Sequence, residues 1–377
     1  MTLTNRERLL KTLKGEIPDC VPVAPDFSNM IPARRTGKPF WDLYLYNDPP
    51  IWEAYIDTAK YFDIDAVMDG YFPFRWPDQQ ENPEPRYIVE KTPERIVTQR
   101  CREENGKRVW ARHVDIYYVA DPPTTGVPIE KTGLPAEPEK FEPVEGVKPV
   151  DRGPEGLKRV KELMGDQGLV GVFMMGSLVL HNEEQIYDFF ENPEKYEKLA
   201  QERVETVEKR FEYLKTLDVK PDFLCVGGSG TLVFQTVPIF RQYAFPAVKR
   251  AIELATEMGM MTQVHSCGPE TELVKIMAEE TDLTVIDPLE IPPMGDANLA
   301  ELKQKYGHKI TLKGNLHTTN VMLKGTPDDV RAAAKQAIDD AAEGGRFILS
   351  TGDQCGRDTP DENLFAMVET ARTYGKY

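Results

Sequence analysis

The chain alternates between short apolar segments and longer amphipathic ones. Eight of the apolar segments have the length and composition of buried strands, and most of them end in glycine, proline or aspartate. They lie at 21–27, 65–70, 169–176, 223–228, 261–268, 283–288, 310–315 and 346–353. Between them, segments such as 246–259 and 327–345 repeat apolar residues with helical spacing. Strands that alternate with helices indicate a parallel sheet covered by helices, and eight such units predict an α/β fold of the (β/α)8 TIM-barrel type.

One segment departs from this rhythm. Residues 86–123 alternate between apolar and polar positions with a period of two and contain the turn sequence "ENGK", which predicts antiparallel strands joined by a tight turn. Residues 124–149 are rich in proline, glycine and glutamate, as in a surface loop. We therefore expect a β-hairpin insertion, about 86–150, after the second barrel strand of a single 1–377 domain.

The amino-terminal segment predicts a helix. Thr4 and Glu7 form a capping-box pattern, and Gly15 follows the last turn. The segment is charged and lacks the apolar centre of a signal peptide. The five cysteines are widely scattered, so we expect a reduced, cytoplasmic protein without a disulfide framework.

The net charge of the chain limits the classes of partner that we expect. The chain has 62 acidic and 46 basic residues, a formal net charge of −16. Phosphate-rich partners require a basic surface, so we expect neither nucleic acid nor an anionic membrane as a partner. No apolar run approaches the roughly 20 residues of a membrane span.

Two strand ends carry soft metal ligands. His265 and Cys267 alternate at the end of the fifth predicted strand, and Cys355 follows the eighth. Loops at the carboxyl ends of barrel strands converge on one mouth, and an imidazole with two thiolates is a strong zinc-binding set that leaves one position open. The alternative is that both cysteines are ordinary buried residues and that His265 is hydrogen-bonded in the core.

Acidic residues where the sixth predicted strand ends are candidates for a fourth, displaceable oxygen ligand. Asp287 and Glu290 both lie where this strand leaves the barrel, and Glu290 is the better candidate because its side chain is longer. The alternative is that either is a solvated loop residue. We also hold both carboxylates as catalytic candidates.

The remaining motifs are less specific. The glycine-rich segment 225–231 matches neither the G-x-G-x-x-G pattern nor the Walker pattern of nucleotide-binding proteins. We interpret it as a tight loop and expect Cys225 to be buried. His181 and His317 follow the third and seventh strands and are candidates to line the mouth, whereas His308 is expected on the surface.

Several motifs resemble a known family. The segments "TNRERLLKTLKGEIPDCVPV", "VHSCG", "LKGNL" and "STGDQCGRDTPDEN" resemble the uroporphyrinogen decarboxylase superfamily, and the last three resemble its zinc-dependent corrinoid methyltransferase branch. The resemblance implies a barrel fold and zinc ligation by His265, Cys267 and Cys355. Arg34 and Arg35 remain, but the surrounding sequence does not follow the decarboxylase pattern.

The resemblance also implies a reaction. We expect methyl transfer from a methoxylated aromatic compound to the cobalt of a corrinoid (cobalamin), as in the methyltransferase component of aromatic O-demethylases. The sequence lacks the pattern D-x-H-x-x-G, so the corrinoid is expected on a separate protein. The aromatic side chains of segments 40–55 and 69–78 are candidates to line the substrate site; the alternative is that they pack in the core. The alternatives are a methylcobamide:thiol methyltransferase of the coenzyme M type, a tetrapyrrole decarboxylase, and a non-enzymatic docking protein. The oligomeric state is open between monomer and homo-oligomer.

Overall fold

The described part of the chain contains twelve strands in two separate sheets. In the computed structural model, which describes residues 2–80, 82, 84–180 and 183–377, the strands are β1 (Ala66–Met68), β2 (Arg86–Lys91), β3 (Arg95–Glu104), β4 (Lys107–Tyr118), β5 (Thr124–Pro128), β6 (Glu142–Pro143), β7 (Gly168–Phe173), β8 (Phe223–Cys225), β9 (Met261–His265), β10 (Val285–Asp287), β11 (Thr311–Leu316) and β12 (Phe347–Thr351). The first sheet has the order β1-β7-β8-β9-β10-β11-β12, and its paired strands run parallel.

The segment 22–24 joins the two edges of this sheet. Val23 forms a parallel bridge with Leu349 of β12, and the amide of Asp65, just before β1, donates to the carbonyl of Val23 at 2.8 Å. This extended segment therefore occupies the position of the eighth barrel strand, between β12 and β1. The predicted TIM-barrel class is confirmed, whereas the single-domain boundary stays a prediction.

Helices cover the outside of the barrel. They are α1 (Asn5–Leu13), α2 (Met30–Arg35), α3 (Phe40–Tyr44), α4 (Ile51–Phe62), α5 (Pro154–Met164), α6 (Glu183–Glu191), α7 (Pro193–Thr216), α8 (Val237–Ile239), α9 (Phe245–Glu257), α10 (Thr271–Glu280), α11 (Leu299–Tyr306), α12 (Pro327–Ala341) and α13 (Asp361–Thr373). The predicted capping box of α1 is present, because Thr4 and Glu7 exchange backbone-to-side-chain hydrogen bonds of 2.9 and 3.1 Å. Within the described ranges, no helix is long and apolar enough to cross a membrane.

The insertion is larger than a hairpin. Its strands form a five-stranded antiparallel sheet in the order β5-β4-β3-β2-β6. Asn105 and Gly106 both have positive φ angles, 52° and 74°, which give the two-residue turn between β3 and β4. Cross-strand pairs extend the sheet to β5 and β6, whose proline-rich sequences the apolar pattern did not mark as strands.

Side chains inside the barrel change character along its axis. At the amino-terminal end they are apolar: Val67, Leu169, Phe223 and Val285 pack against Leu9 and Leu13 of α1 in one cluster. Successive inward positions of a strand are two residues apart, so the next inward position after Val285 is Asp287. The barrel is therefore closed by apolar packing at one end and lined by polar groups at the other.

A buried ion network holds this apolar end in place. Arg8 donates to Asp65 at 2.7 Å and to Asp19 at 2.7 Å, and Arg372 of α13 donates to the second oxygen of Asp65 at 2.7 Å. The side chains of Arg8 and Asp65 are 3% and 0% exposed. The network joins α1, the start of β1 and α13, so its loss leaves charges buried without partners.

We expect Asp65→Asn to lower the free energy of unfolding by about 3–5 kcal/mol, the usual cost of breaking a buried ion pair. Urea denaturation followed by circular dichroism measures this change. The control is Glu104→Gln, which breaks the exposed pair with Arg102 and should cost no more than about 1 kcal/mol. Equal effects of the two substitutions would contradict a stabilising role for the network.

Candidate metal and substrate site at the barrel mouth

The polar end of the barrel is organised around one buried carboxylate. Asp287 is 1% exposed and accepts hydrogen bonds from Lys313 Nζ at 2.7 Å and Gln263 Nε2 at 2.7 Å. Its Oδ2 also lies 3.2 Å from Nδ1 of His265. The pairing of β9, β10 and β11 brings these side chains together on three adjacent strands.

The charges in this layer determine each other's protonation. Burial raises the pKa of Asp287, but Lys313 and His265 outweigh this and hold it well below its usual value. Burial lowers the pKa of Lys313, yet Asp287 raises it above the ordinary lysine value. Asp69, which accepts from Gln263 at 2.8 Å, has its pKa raised to about 6 by burial and by neighbouring carboxylates. Asp287 is therefore the ionised member of the layer, and Lys313 is its counter-ion.

His265 is oriented by Asp287. Burial lowers the pKa of His265, but the charge of Asp287 and its hydrogen bond raise it well above the usual value. The contact with Asp287 occupies Nδ1, and Nε2 lies 3.7 Å from Oδ1 of Asp353. A carboxylate that fixes one ring nitrogen while the other faces a ligand cluster is the common arrangement behind metal-binding histidines.

A second group of ligand atoms lies on the other side of His265. The Sγ atom of Cys267 and one carboxylate oxygen from each of Glu290 and Asp353 all lie within 4.8 Å of one another. Glu290 is 6% exposed and accepts from the amide of Gly268 at 2.6 Å. Asp353 holds a φ of 92°, uncommon for a residue other than glycine, so its backbone is strained where its carboxylate meets the group.

The donors present fit zinc. A thiol, an imidazole and two carboxylates are the ligand types that zinc takes in proteins, and they come from the ends of β9, β10 and β12. Asp69, His265 and Asp287 also approach within 4.8 Å, but the ammonium group of Lys313 already neutralises Asp287 there. The Cys267 side of His265 is therefore the better place for a metal cation.

Cys355 lies deeper than this group. It is fully buried and its thiol is next to Thr351 and Thr359, while burial and the nearby Asp26 raise its pKa to about 12. Its amide donates to the carbonyl of Asp26 at 2.9 Å. The structure thus brings His265, Cys267 and Glu290 to one site and places Cys355 beside it, so zinc ligation by Cys355 stays a prediction.

The other predicted residues have varied positions. His317 uses Nδ1 to accept from the amides of Thr319 and Asn320 and acts as a local cap near the mouth. Cys225 is buried, as predicted, and His308 is exposed. His181 lies outside the described residues.

Arg34 and Arg35, the two arginines that were compared with the decarboxylase pattern, contact other residues of the fold. Arg34 pairs with Asp361, and the guanidinium of Arg35 stacks 3.3 Å from the ring centre of Tyr61. Both contacts involve helices on the outside of the barrel. Neither arginine lines the two cavities described below.

Two adjoining cavities open at the mouth. The first, about 380 Å³, is lined by His265, Asp26, Asp69 and Tyr71, with the backbone of Gly227 and Gly228 on one side. The second, about 920 Å³, lies between the mouth and the antiparallel sheet. Gly70 and Phe173 line both cavities, so they form a shared wall.

The aromatic segments are divided between these cavities and the core. Tyr71 faces the first cavity, while Tyr44, Phe72 and Phe74 line the second. Trp52 and Tyr55 of the same segments are packed in the main core.

Sequence reasoning missed several residues of the site. Asp26, Asp69 and Asp353 each lie at or near the carboxyl end of a predicted strand segment, and that position is the signal that could have identified them. Lys313 lies inside a strand, where a lysine is unusual in a barrel interior, and only a search for buried charge pairs would have found it.

Comparison with known proteins identifies relatives of the fold and of parts of the sequence. A methyltransferase from Methanosarcina mazei superposes with a TM-score of 0.62 at 18% identity, covering 99% of each chain, and shares the fold. "Methylcobamide:CoM methyltransferase MtbA" from Methanosarcina mazei is 28% identical over 168 residues, 45% of this chain and 44% of that protein. "Methylcobamide:CoM methyltransferase MtaA" from Methanosarcina barkeri is 30% identical over 137 residues, 36% of each chain.

The sequence matches therefore span less than half the length of these relatives. A "Uroporphyrinogen decarboxylase" from Actinobacillus succinogenes is 32% identical over 79 residues, 21% of this chain and 22% of that protein. The family model for uroporphyrinogen decarboxylase (URO-D) matches residues 174–374, which is more than half of the chain and includes His265, Cys267 and Glu290. The protein belongs to the uroporphyrinogen decarboxylase family.

Proposed function

We propose that this protein is a zinc-dependent methyltransferase that moves a methyl group from a methoxylated aromatic compound to the cobalt of a corrinoid carried by a separate protein. The observation that carries this proposal is the convergence of Cys267, Glu290, Asp353 and His265 beside a cavity of about 380 Å³. The relatives named as methylcobamide:CoM methyltransferases support corrinoid-linked methyl transfer. In the proposed reaction the bond between the ether oxygen and the methyl carbon breaks, and its electron pair stays on the oxygen, which leaves as an aryl oxide and takes up a proton from water. The cob(I)amide of the partner protein supplies the electron pair of the new bond between the methyl carbon and cobalt.

The residues of this chain have distinct tasks in the proposal. Cys267, His265 and Glu290, with Cys355, are the proposed zinc ligands, and Asp353 is a further carboxylate within reach. Zinc, when bound, supplies Lewis acidity without redox chemistry. Asp287 acts through His265 and is a positioning residue, since it is fully occupied by Lys313, Gln263 and the histidine ring.

The size and lining of the cavities favour an aromatic methyl donor. The first cavity is continuous in its lining with the second, and both carry aromatic side chains. A two-carbon thiol would fill a small part of this volume, whereas sites for ring-containing ligands commonly measure 300–1,000 Å³.

Exposed apolar residues around the mouth support the docking of a large partner. Phe173, Phe234 and Met294 are 47%, 58% and 62% exposed, and they lie on β7 and on the loops that follow β8 and β10. Exposed apolar groups that surround a site often belong to an interaction surface. A separate corrinoid protein is the partner proposed for it.

A second candidate is the transfer of a methyl group from methylcobamide to a thiol. The names of the two methylcobamide:CoM methyltransferases to which the chain is similar favour this reaction. It would use the same mouth of the barrel, and the two reactions differ in the small substrate and in direction.

We expect the purified chain to contain about one zinc per molecule by elemental analysis. Cys267→Ser and Cys355→Ser should each reduce zinc retention sharply, because a thiolate ligand is lost. Cys101→Ser, in the antiparallel sheet, is the control and should keep the zinc. Full activity of a metal-free preparation would contradict the role of zinc, and full zinc retention by Cys355→Ser would remove this residue from the ligand set.

We expect Glu290→Gln to slow the formation of methylcobamide from cob(I)amide and a methoxybenzene such as guaiacol by about 10- to 100-fold, the usual effect of altering a residue at or next to a metal ligand. The cobalt absorption spectrum follows the reaction. Glu301→Gln, on the exposed face of α11, should leave the rate unchanged. The fold should persist in both variants, as circular dichroism can show.

The same assay distinguishes the two candidates. Formation of methylcobamide with an aryl ether supports the first. Failure with every aryl ether tested, together with rapid demethylation of methylcobamide by a free thiol, would establish the second instead.

A further inference from the structure

The larger cavity carries an unusual concentration of positive charge. Arg75, Arg86, Arg100 and Arg152 line it, and none of its described lining residues is an aspartate or a glutamate. This is notable in a chain with 16 more acidic than basic residues. A cluster of one sign of charge within a concave, partly apolar site attracts a ligand of the opposite charge.

Two of these arginines lack a carboxylate partner within the described ranges. Arg100 donates to the carbonyl of Glu84 at 2.8 Å, and the guanidinium of Arg152 has no hydrogen bond or ion pair. Arg86, by contrast, pairs with Asp115 at 3.0 Å. Burial and the charge of Arg75 lower the pKa of Arg152 from its usual value, so the two guanidinium groups are close enough to influence each other.

The backbone brings Arg75 and Arg152 together. The amide of Arg75 donates to the carbonyl of Arg152 at 2.8 Å, although the two residues lie on opposite sides of the antiparallel insertion in sequence. The pair therefore flanks the insertion on both sides, and Arg100 of β3 lines the same cavity. Guanidinium groups that converge in this way are suited to carboxylate or sulfonate oxygens, which they bind with charge-assisted hydrogen bonds.

We propose that the larger cavity is a subsite for the anionic end of the small substrate, bound by Arg152 with Arg75 and Arg100. The aromatic side chains of Phe72, Phe74 and Phe173 accommodate the apolar body of the substrate, and its reactive end extends past Gly70 and Phe173 into the smaller cavity. The proposal rests on the proposed function for the identity of the reaction. The anion is the carboxylate of a methoxylated aromatic acid, or the sulfonate of a thiol in the second candidate reaction.

Calorimetric titration tests the subsite without catalysis. The first pair of probes is 4-methoxybenzoate and the neutral 4-methoxybenzamide, and the second is 2-sulfanylethanesulfonate and 2-sulfanylethanol. We expect the chain to bind the anionic member of at least one pair about 10-fold or more tightly than the neutral member. The pair that shows the preference identifies the source of the anion.

Arg152→Gln should weaken binding of that anionic probe by about 10- to 100-fold, the range for losing a charged hydrogen bond, and should leave the neutral probe unchanged. Because the Arg152 side chain has no partner in the described structure, the variant is expected to fold normally. The matched control is Arg159→Gln on α5, which removes an exposed arginine outside the cavity and should bind as the original chain does.

Equal affinity for charged and neutral probes, no binding of either anion, or anion binding that Arg152→Gln does not alter would each overturn the subsite. Arginine-dependent anion binding without any methyl transfer would uphold the subsite and reject the proposed function. Methyl transfer that is indifferent to substrate charge and to Arg152 would have the opposite meaning.

Discussion

The contact on which the site depends is the hydrogen-bonded ion pair between Lys313 and Asp287. Both groups are nearly inaccessible to water, at 4% and 1% exposure, and an unpaired charge at that depth would be strongly unfavourable. Lys313, together with His265, outweighs the cost of burial and keeps the pKa of Asp287 low, and the ionised Asp287 contacts Nδ1 of His265. The orientation of Nε2 toward Asp353, and thus the shape of the proposed metal site, follows from a lysine two strands away from the histidine.

The barrel is divided into an apolar end and a polar end, and packing at the apolar end offsets the free-energy cost of burying charges at the polar end. Apolar contacts between α1 and the inward residues of the strands occupy one end, and the ion network of Arg8, Asp65 and Arg372 ties the chain termini to it. The strands continue from this packed end into the polar layer without a break. Functional side chains are therefore held by strand ends, which are rigid, while the loops beyond them are left to vary.

The sequence predicted the site where a ligand-type residue lies at or just beyond the carboxyl end of a predicted strand, as His265, Cys267 and Glu290 do. It did not predict Lys313 or Asp69, because their roles arise from the register between neighbouring strands and from the closure of the sheet. A buried lysine and a buried carboxylate can be interpreted as a pair only when both positions are known. The extent of the insertion was missed for a related reason: β5 and β6 are short, and they are strands only because β4 and β2 provide hydrogen-bond partners.

The two halves of the proposed site have different relations to the family. His265, Cys267 and Asp353 lie within the segment 174–374 that matches the family model, whereas Arg75, Arg100 and Arg152 all precede it. The groups suited to bond chemistry thus belong to the shared barrel, and the groups suited to select a charged substrate belong to the insertion and its two ends. Since Gly70 and Phe173 are the shared wall between the cavities, a change in the insertion can alter which molecule is held without moving a proposed metal ligand. This separation would allow the substrate preference of such a barrel to change while the proposed metal ligands stay in place.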